Sequence, residues 1–283
     1  MKIIHHTFKT NGIHMHITEA GTGYPVLFLH GFPELWYSWR HQLPAVAAAG
    51  FHAVAPDLRG FGNTDAPSDI ASYSMKNRVA DVIGLLDVLQ ADQCVLVGHD
   101  WGANLAWACA QLAPERIASL FILSVPYKER GDEPPSTLIA QFAGNHFSFN
   151  SYFQKPGVAE AELERDPNEL PAWLTEADLD EFARAYRRTG FRGPLNLYRT
   201  MDRDWYELPQ LGVGKLMQPT VFMGGKVDPP VLFGQFDPMI AAVPKLRKVI
   251  FDKSAGHWLQ QERAAEVNDE LVGFLQRELK QGG

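Results

Sequence analysis

The chain has 283 residues, 46% of them hydrophobic and 21% charged, the balance of a soluble globular protein with one large domain or two ordinary ones, not of a disordered chain. A formal net charge of −7 with no basic run argues against nucleic acid as a partner. No apolar run approaches the roughly 18 residues of a membrane span, the first ten residues lack a secretory apolar stretch, and Cys94 and Cys109 make no disulfide framework, so a cytosolic chain fits best.

The first 126 residues alternate between strand-like and helix-like stretches. Residues 13–20 read as a strand and 25–30 as a buried one, followed by a helix over 39–49 and a strand over 51–55. In 73–90, Val79, Val82, Ile83, Leu86 and Leu89 recur at spacings of three and four, which predicts one face of a helix. Residues 94–98 form a short apolar run without alternation, as expected of a strand covered on both faces. A helix over 101–113 and a strand over 117–125 follow. This rhythm predicts an α/β fold with a mostly parallel central sheet and helices on both faces.

The texture changes after Pro126. Between there and about Gly214 no long apolar strand occurs, and the helix-like pieces fall at 136–153, 159–165, 176–190 and 193–201. Strands return at 219–225 and 248–251, and a helix over 262–279 closes the chain. We therefore expect a core of residues 1–126 and 214–283, with a helical cap of residues 127–213 inserted after the sixth strand. Such an insertion lies over the edge where these sheets bind ligands.

The sharpest local signal is Gly98-His-Asp-Trp-Gly102, leaving a strand and entering a helix. Glycines two residues either side of Asp100 permit a sharp strand-to-helix turn, which stands the Asp100 side chain at the positive end of the helix. That is a nucleophile elbow with Asp in place of Ser. The plainer reading is an Asp capping the helix. An aspartate with an ordinary pKa of about 3.9 is already ionised at neutral pH, so it can displace a leaving group at saturated carbon and form an ester. Cleaving that ester takes a base and an oxyanion hole, so a histidine and a carboxylate are expected further on. Ser254-Ala-Gly-His257-Trp258 and Gly225-Lys-Val-Asp228-Pro-Pro230 supply them, in the order nucleophile, acid, histidine. The backbone N–H groups of Phe32, after His30-Gly31, and of Trp101 are the candidates for the oxyanion hole. Trp36, Trp39, Trp101, Phe149, Phe153 and Met201 are candidate apolar pocket residues, although each reads equally well as core. His5-His6 and His14-x-His16 read as solvent-facing edges, and no metal site or dinucleotide or phosphate loop is found.

With these residues in view, the sequence resembles the soluble epoxide hydrolase branch of the α/β-hydrolase superfamily. The motifs that carry the resemblance are His30-Gly-Phe-Pro33, Asp57-Leu-Arg-Gly-Phe-Gly62, Gly98-His-Asp-Trp-Gly102, Gly256-His-Trp258, the stretch 152–164, and Phe191-Arg-Gly-Pro-Leu-Asn-Leu-Tyr-Arg199. The resemblance spans nearly the whole chain. It implies that Asp100 attacks an epoxide carbon and that His257, oriented by Asp228, activates the water that releases a diol. It also implies two cap tyrosines that donate to the leaving oxygen. Tyr198 matches the second. At the first, five residues before Gln154, this chain has Phe149, which cannot donate a hydrogen bond. Tyr152, and less plausibly His146, lie three residues to either side as substitute donors. No cofactor is implied, and the expected partners are a small hydrophobic epoxide and water, with a homodimer left open. The alternative is a haloalkane dehalogenase using the same Asp-His-Asp set, in which Trp101 holds the halide. Lower still is a ligand sensor on a hydrolase scaffold.

Overall fold

The structure, a computed structural model, describes residues 2–143, 149–157, 159, 170–251 and 254–279. Eight strands form one sheet: β1 (Ile4–Thr10), β2 (Ile13–Ala20), β3 (Pro25–Leu29), β4 (His52–Pro56), β5 (Cys94–His99), β6 (Ile117–Leu123), β7 (Thr220–Gly224) and β8 (Leu246–Ile250). Their order is β1-β2-β4-β3-β5-β6-β7-β8. β2 pairs antiparallel with both β1 and β4, and every pairing from β4 to β8 is parallel.

The inner parallel strands are mostly apolar because each feeds two cores. Leu27 and Leu29, Leu96, Leu120 and Ile122, and Phe222 face one side, under helices α2 (Met75–Val88) and α3 (Trp101–Leu112). Val26 and Phe28, Val95 and Val97, Phe121 and Leu123, and Val221 and Met223 face the other. Helix α1 (Gln42–Ala48) and the last helix (Ala264–Leu279) cover that second side with Leu43, Val46, Val267, Leu271 and Phe274. Ser74 starts α2 by accepting the Asn77 N–H, and the α2 positions Val79, Val82, Leu85 and Leu86 are buried as the spacing requires.

Several expectations shift by a few residues or break in two. The helix read at 39–49 is a 3-10 turn, Trp36–Trp39, followed by α1. The final helix is divided into Leu259–Glu262 and Ala264–Leu279. The one at 136–153 is described as Pro135–Ala143 and Phe149–Tyr152, and most of 159–165 lies outside the described residues. The expected solvent edge is corrected at His16. This residue is buried, with Nδ1 2.8 Å from Asp57 Oδ2 and Nε2 3.1 Å from His5 Nδ1. Trp39 is likewise a core residue, packed on Phe28 under the second face.

Between β6 and β7 lie only helices among the described residues: Pro135–Ala143, Phe149–Tyr152, Glu176–Thr189, Arg192–Arg199 and Met201–Glu207. They are fastened to the core by polar contacts. Asp178 closes a capping box with Thr175, pairs with Arg40 at 3.1 Å and accepts the Tyr37 hydroxyl at 3.0 Å. Arg188 donates to the carbonyls of Gly62 and Thr64. No described helix is long and apolar enough to cross a membrane.

Chain direction across the sheet reverses between β3 and β5. The chain leaves β3 for β4 on one side and returns to β5 on the other. The crevice beyond the carboxyl ends of two such strands is where open parallel sheets bind ligands. Close backbone contact defines it here: a Cβ on Gly102 would sit 1.9 Å from the Leu29 carbonyl oxygen, and one on Gly98 2.9 Å from Ala103 Cα. Gly102→Ala is expected to cost about 3 kcal/mol, at the upper end of overpacking. Urea unfolding of the variant against the parent measures it, and a loss within about 0.5 kcal/mol would show that α3 is free to move off β3.

Candidate active site

Asp100 occupies the turn from β5 into α3, with φ 51° and ψ −118°. Such a backbone is held only when its surroundings over-determine it. They do so here through three glycines, since a Cβ on Gly31 would also lie 2.4 Å from the Asp100 side chain. Asp100 makes no side-chain cap to α3. Its Oδ1 instead accepts the Phe32 N–H at 2.9 Å. Of the two backbone groups chosen from the sequence, that of Phe32, which follows β3, meets the carboxylate, and Trp101 opens α3 directly after Asp100.

His257 stands opposite. Its Nδ1 lies 2.9 Å from Asp228 Oδ1, and its Nε2 lies 3.8 Å from Asp100 Oδ2. Asp228 is fully buried. It follows β7 in a loop pressed against the histidine loop, where a Cβ on Gly225 would lie 2.1 Å from the Ala255 carbonyl oxygen. A carboxylate accepts only, so the proton of a neutral His257 sits on Nδ1 and the Nε2 lone pair faces Asp100. Ser124 Oγ, on a residue with φ 72° just beyond β6, also lies 2.9 Å from Nδ1. The two oxygens of Asp100 are thus distinguished: Oδ1 is held by a backbone N–H and Oδ2 is turned to His257.

Tyr198, on the helix Arg192–Arg199, is buried above this group. Its ring stands edge-on to Trp101 at 4.9 Å, to Phe153 at 4.8 Å and to Phe32 at 5.9 Å. Burial, and then the Asp100 charge, push the phenol pKa well up, so Tyr198 keeps its proton as a donor. Gln154 Nε2 donates to the Tyr198 carbonyl at 2.9 Å, and Arg199 Nε to that of Phe153 at 3.1 Å, which ties together the two insertion motifs.

The remaining candidates fall differently. Phe149 opens the helix Phe149–Tyr152, but its side chain lies outside what is described, as does His146. Tyr152 is half-buried, with its ring 5.9 Å from that of Phe153. Trp36 turns its ring to His5 and Tyr37, at 5.1 and 5.4 Å, on the β1 side of the molecule. No group of three metal-ligating side chains is arranged for an ion among the described residues.

The comparisons with known proteins agree with this geometry. The family model described as alpha/beta hydrolase fold matches residues 24–264. Epoxide hydrolase A of Mycobacterium tuberculosis is 39% identical, over 94% of this chain and 95% of its own. Epoxide hydrolase 2 of Siraitia grosvenorii is 40% identical, over 98% and 99%. The crystal structure of epoxide hydrolase A from Mycobacterium thermoresistibile has a TM-score of 0.93 at 36% identity, covering 97% of this chain and 98% of that one. The chain belongs to the epoxide hydrolase family of the α/β-hydrolase fold.

Two residues that the sequence reading passed over join the halves of this epoxide hydrolase site. Glu34 and His99 are buried, with Glu34 Oε2 2.6 Å from His99 Nδ1. Glu34 Oε2 also accepts the Gly31 N–H at 2.8 Å, and Oε1 accepts Gln260 Nε2 at 2.7 Å. His99 Nε2 donates to the His257 carbonyl at 2.8 Å. One ion pair therefore fixes both the loop carrying Phe32 and the loop carrying His257. The only signal in the sequence was adjacency: Glu34 follows Pro33 and His99 precedes Asp100.

Burial alone would raise the Glu34 carboxyl pKa, but the His99 charge and hydrogen bond, with the Gly31 N–H, hold it at about 2. Burial alone would lower the His99 imidazole, but the Glu34 charge and hydrogen bond lift it to about 9. The raised histidine contributes full stability below its ordinary 6.5 and loses it as pH rises to about 9. The depressed carboxyl contributes above its ordinary 4.5 and loses that as pH falls to about 2. The thermal midpoint is expected to decline between pH 6.5 and about 9, and Glu34→Gln to lower it at the acid end of that window and flatten the decline. Circular dichroism melts across the window test this, and parallel wild-type and variant profiles would remove the ion pair from the account.

Proposed function

We propose that the chain opens a small hydrophobic epoxide to a vicinal diol through a covalent ester on Asp100. The observation that carries this is the split carboxylate: Oδ1 at 2.9 Å from the Phe32 N–H and Oδ2 at 3.8 Å from His257 Nε2, with the Tyr198 phenol beside them.

In the first step Asp100 Oδ2 attacks an epoxide carbon and the ring C–O bond breaks. The departing oxygen is a poor leaving group, and Tyr198 supplies its proton. Oδ1 is then the ester carbonyl oxygen. In the second step His257 Nε2 takes a proton from water, and the hydroxide adds to Asp100 Cγ. Negative charge gathers on Oδ1, where the N–H groups of Phe32 and Trp101 stabilise it. Collapse breaks the ester C–O bond, and the diol oxygen takes the proton from His257, which Asp228 had stabilised as the imidazolium. The proton left on Asp100 returns to the Tyr198 oxygen, and the cycle consumes only epoxide and water. Residues 127–213 act as a cap over a core of residues 1–126 and 214–283. The cap brings Tyr198 and Phe153 to the carboxylate, and Tyr152 stands next to them as a second candidate donor. Halide release is less well served, because Phe32 stands directly after His30-Gly31, where a second side-chain N–H donor for halide would be wanted.

His257→Ala tests the reading by intact mass. Incubated with small epoxides, it is expected to gain the full epoxide mass, and the added substitution Asp100→Asn to abolish the gain. A gain only from haloalkanes, lighter by the lost hydrogen halide, would make the chain a dehalogenase. Labelling by neither would leave the sensor reading. Tyr198→Phe is expected to slow ester formation by about a hundredfold or more, measured in a single turnover.

A further inference from the structure

A buried cation stands next to this site. Arg78, in the first turn of α2, is 4% exposed, and its Cζ lies 5.3 Å from the centre of the Trp101 ring, over its face. Its partner comes from the cap: Asp204 Oδ2, 3.4 Å from Arg78 Nη2, on the helix Met201–Glu207. Asp204 is well satisfied without it, since its Oδ1 accepts the Met75 N–H at 2.7 Å and so caps α2 from outside the helix. Arg78 is not. It has this single long ionic contact, and its Nε has no partner among the described residues.

The pair is therefore a poor stabiliser. Burial, ahead of their mutual attraction, pushes the Arg78 guanidinium pKa down and the Asp204 carboxyl pKa up. Buried ions so weakly partnered are commonly replaceable by apolar side chains without loss of stability. What the guanidinium does hold is Trp101. A planar cation on an aromatic face fixes the ring and draws electron density from it, and lysine does not reproduce the flat contact. Trp101 in turn stands edge-on to the Tyr198 ring at 4.9 Å.

We propose that Arg78, held in place by the cap residue Asp204, is a positioning residue for epoxide opening that seats the Trp101 indole and thereby aims Tyr198 as donor to the departing oxygen. This rests on the reading above, in which Tyr198 protonates that oxygen. Because Asp204 belongs to the cap and Arg78 to the core, the seat is complete only with the cap docked. The contribution belongs to ring opening. Ester hydrolysis, run by His257, does not use it.

The test compares wild type with Arg78→Leu and with Arg78→Leu/Asp204→Asn. The double variant leaves no unpaired buried ion and keeps the oxygen that caps α2. Single-turnover mixing with styrene oxide and with cyclohexene oxide separates ester formation from ester hydrolysis. Ester formation is expected to fall about tenfold in both variants, while hydrolysis of the formed ester changes by less than about twofold and the double variant keeps the parent's thermal midpoint. Unchanged ester formation would overturn the proposal. So would equal slowing of both steps, or a loss that tracks a lowered midpoint, because a purely structural role predicts those. A wild-type chain that forms no ester with either epoxide, and whose His257→Ala variant traps none, would instead overturn the functional reading and this inference with it.

Discussion

The backbone of α3 runs against the end of β3 so closely that only glycine fits at 102, and the rest of the site depends on that approach. It brings the turn at Asp100 under the loop after β3, so the Phe32 N–H meets the carboxylate rather than solvent. The same approach forces Asp100 into a backbone region that costs roughly 1–3 kcal/mol for a residue with a side chain. That cost is distributed over the apolar centre of the sheet, whose β3 and β5 residues from Val26 to Leu29 and from Cys94 to Val97 are buried. A rigid double-faced core is what lets one aspartate be held out of helix capping and left with its charge to use.

Two buried ion pairs sit around this turn, and they differ in kind. In Glu34–His99, both Glu34 oxygens and both His99 ring nitrogens have partners, and those partners are the loops that carry Phe32 and His257. Such a pair offsets its own desolvation and makes the two loops move as one. In Arg78–Asp204 the carboxylate is satisfied by the start of α2, while the guanidinium rests on a ring and keeps an unmatched nitrogen. The first pair ties the Phe32 loop to the His257 loop, and the second reaches from α2 to the helix Met201–Glu207. One therefore stands behind His257 and Phe32, and the other behind Trp101.

What was legible in the sequence follows from these packing facts. The parallel strands were readable because burial on both faces removes alternation, leaving runs such as Cys94-Val-Leu-Val97. β1 was missed because Ile4–Thr10 is an edge strand, exposed along most of its length and carrying no apolar pattern. His16 was misread for a related reason: a histidine next to an edge looks solvated until its partner is known, and Asp57 lies on a different strand's end. Asp100, Asp228 and His257 stood out since each sits in a glycine-marked loop after a strand. Glu34, His99 and Ser124 did not, since each acts through a contact far along the chain that no local spacing records.

If Tyr198 is the donor, as proposed, Phe149 at the position where the resemblance implies another tyrosine gives these long-range contacts more weight. A departing epoxide oxygen shared between two phenols needs less from each. Here Tyr198 has Trp101, Phe32 and Phe153 as ring neighbours and a proton that burial holds firmly in place. A donor of high pKa gives up its proton reluctantly, so its aim at the departing oxygen matters more, and the Trp101 ring stands edge-on against its ring. In the proposed ring opening, that aim depends on how steadily the indole is held. Its face carries the Arg78 guanidinium, which is paired with Asp204 on the helix Met201–Glu207, so under this proposal the aim of Tyr198 is set by a contact between that helix and α2.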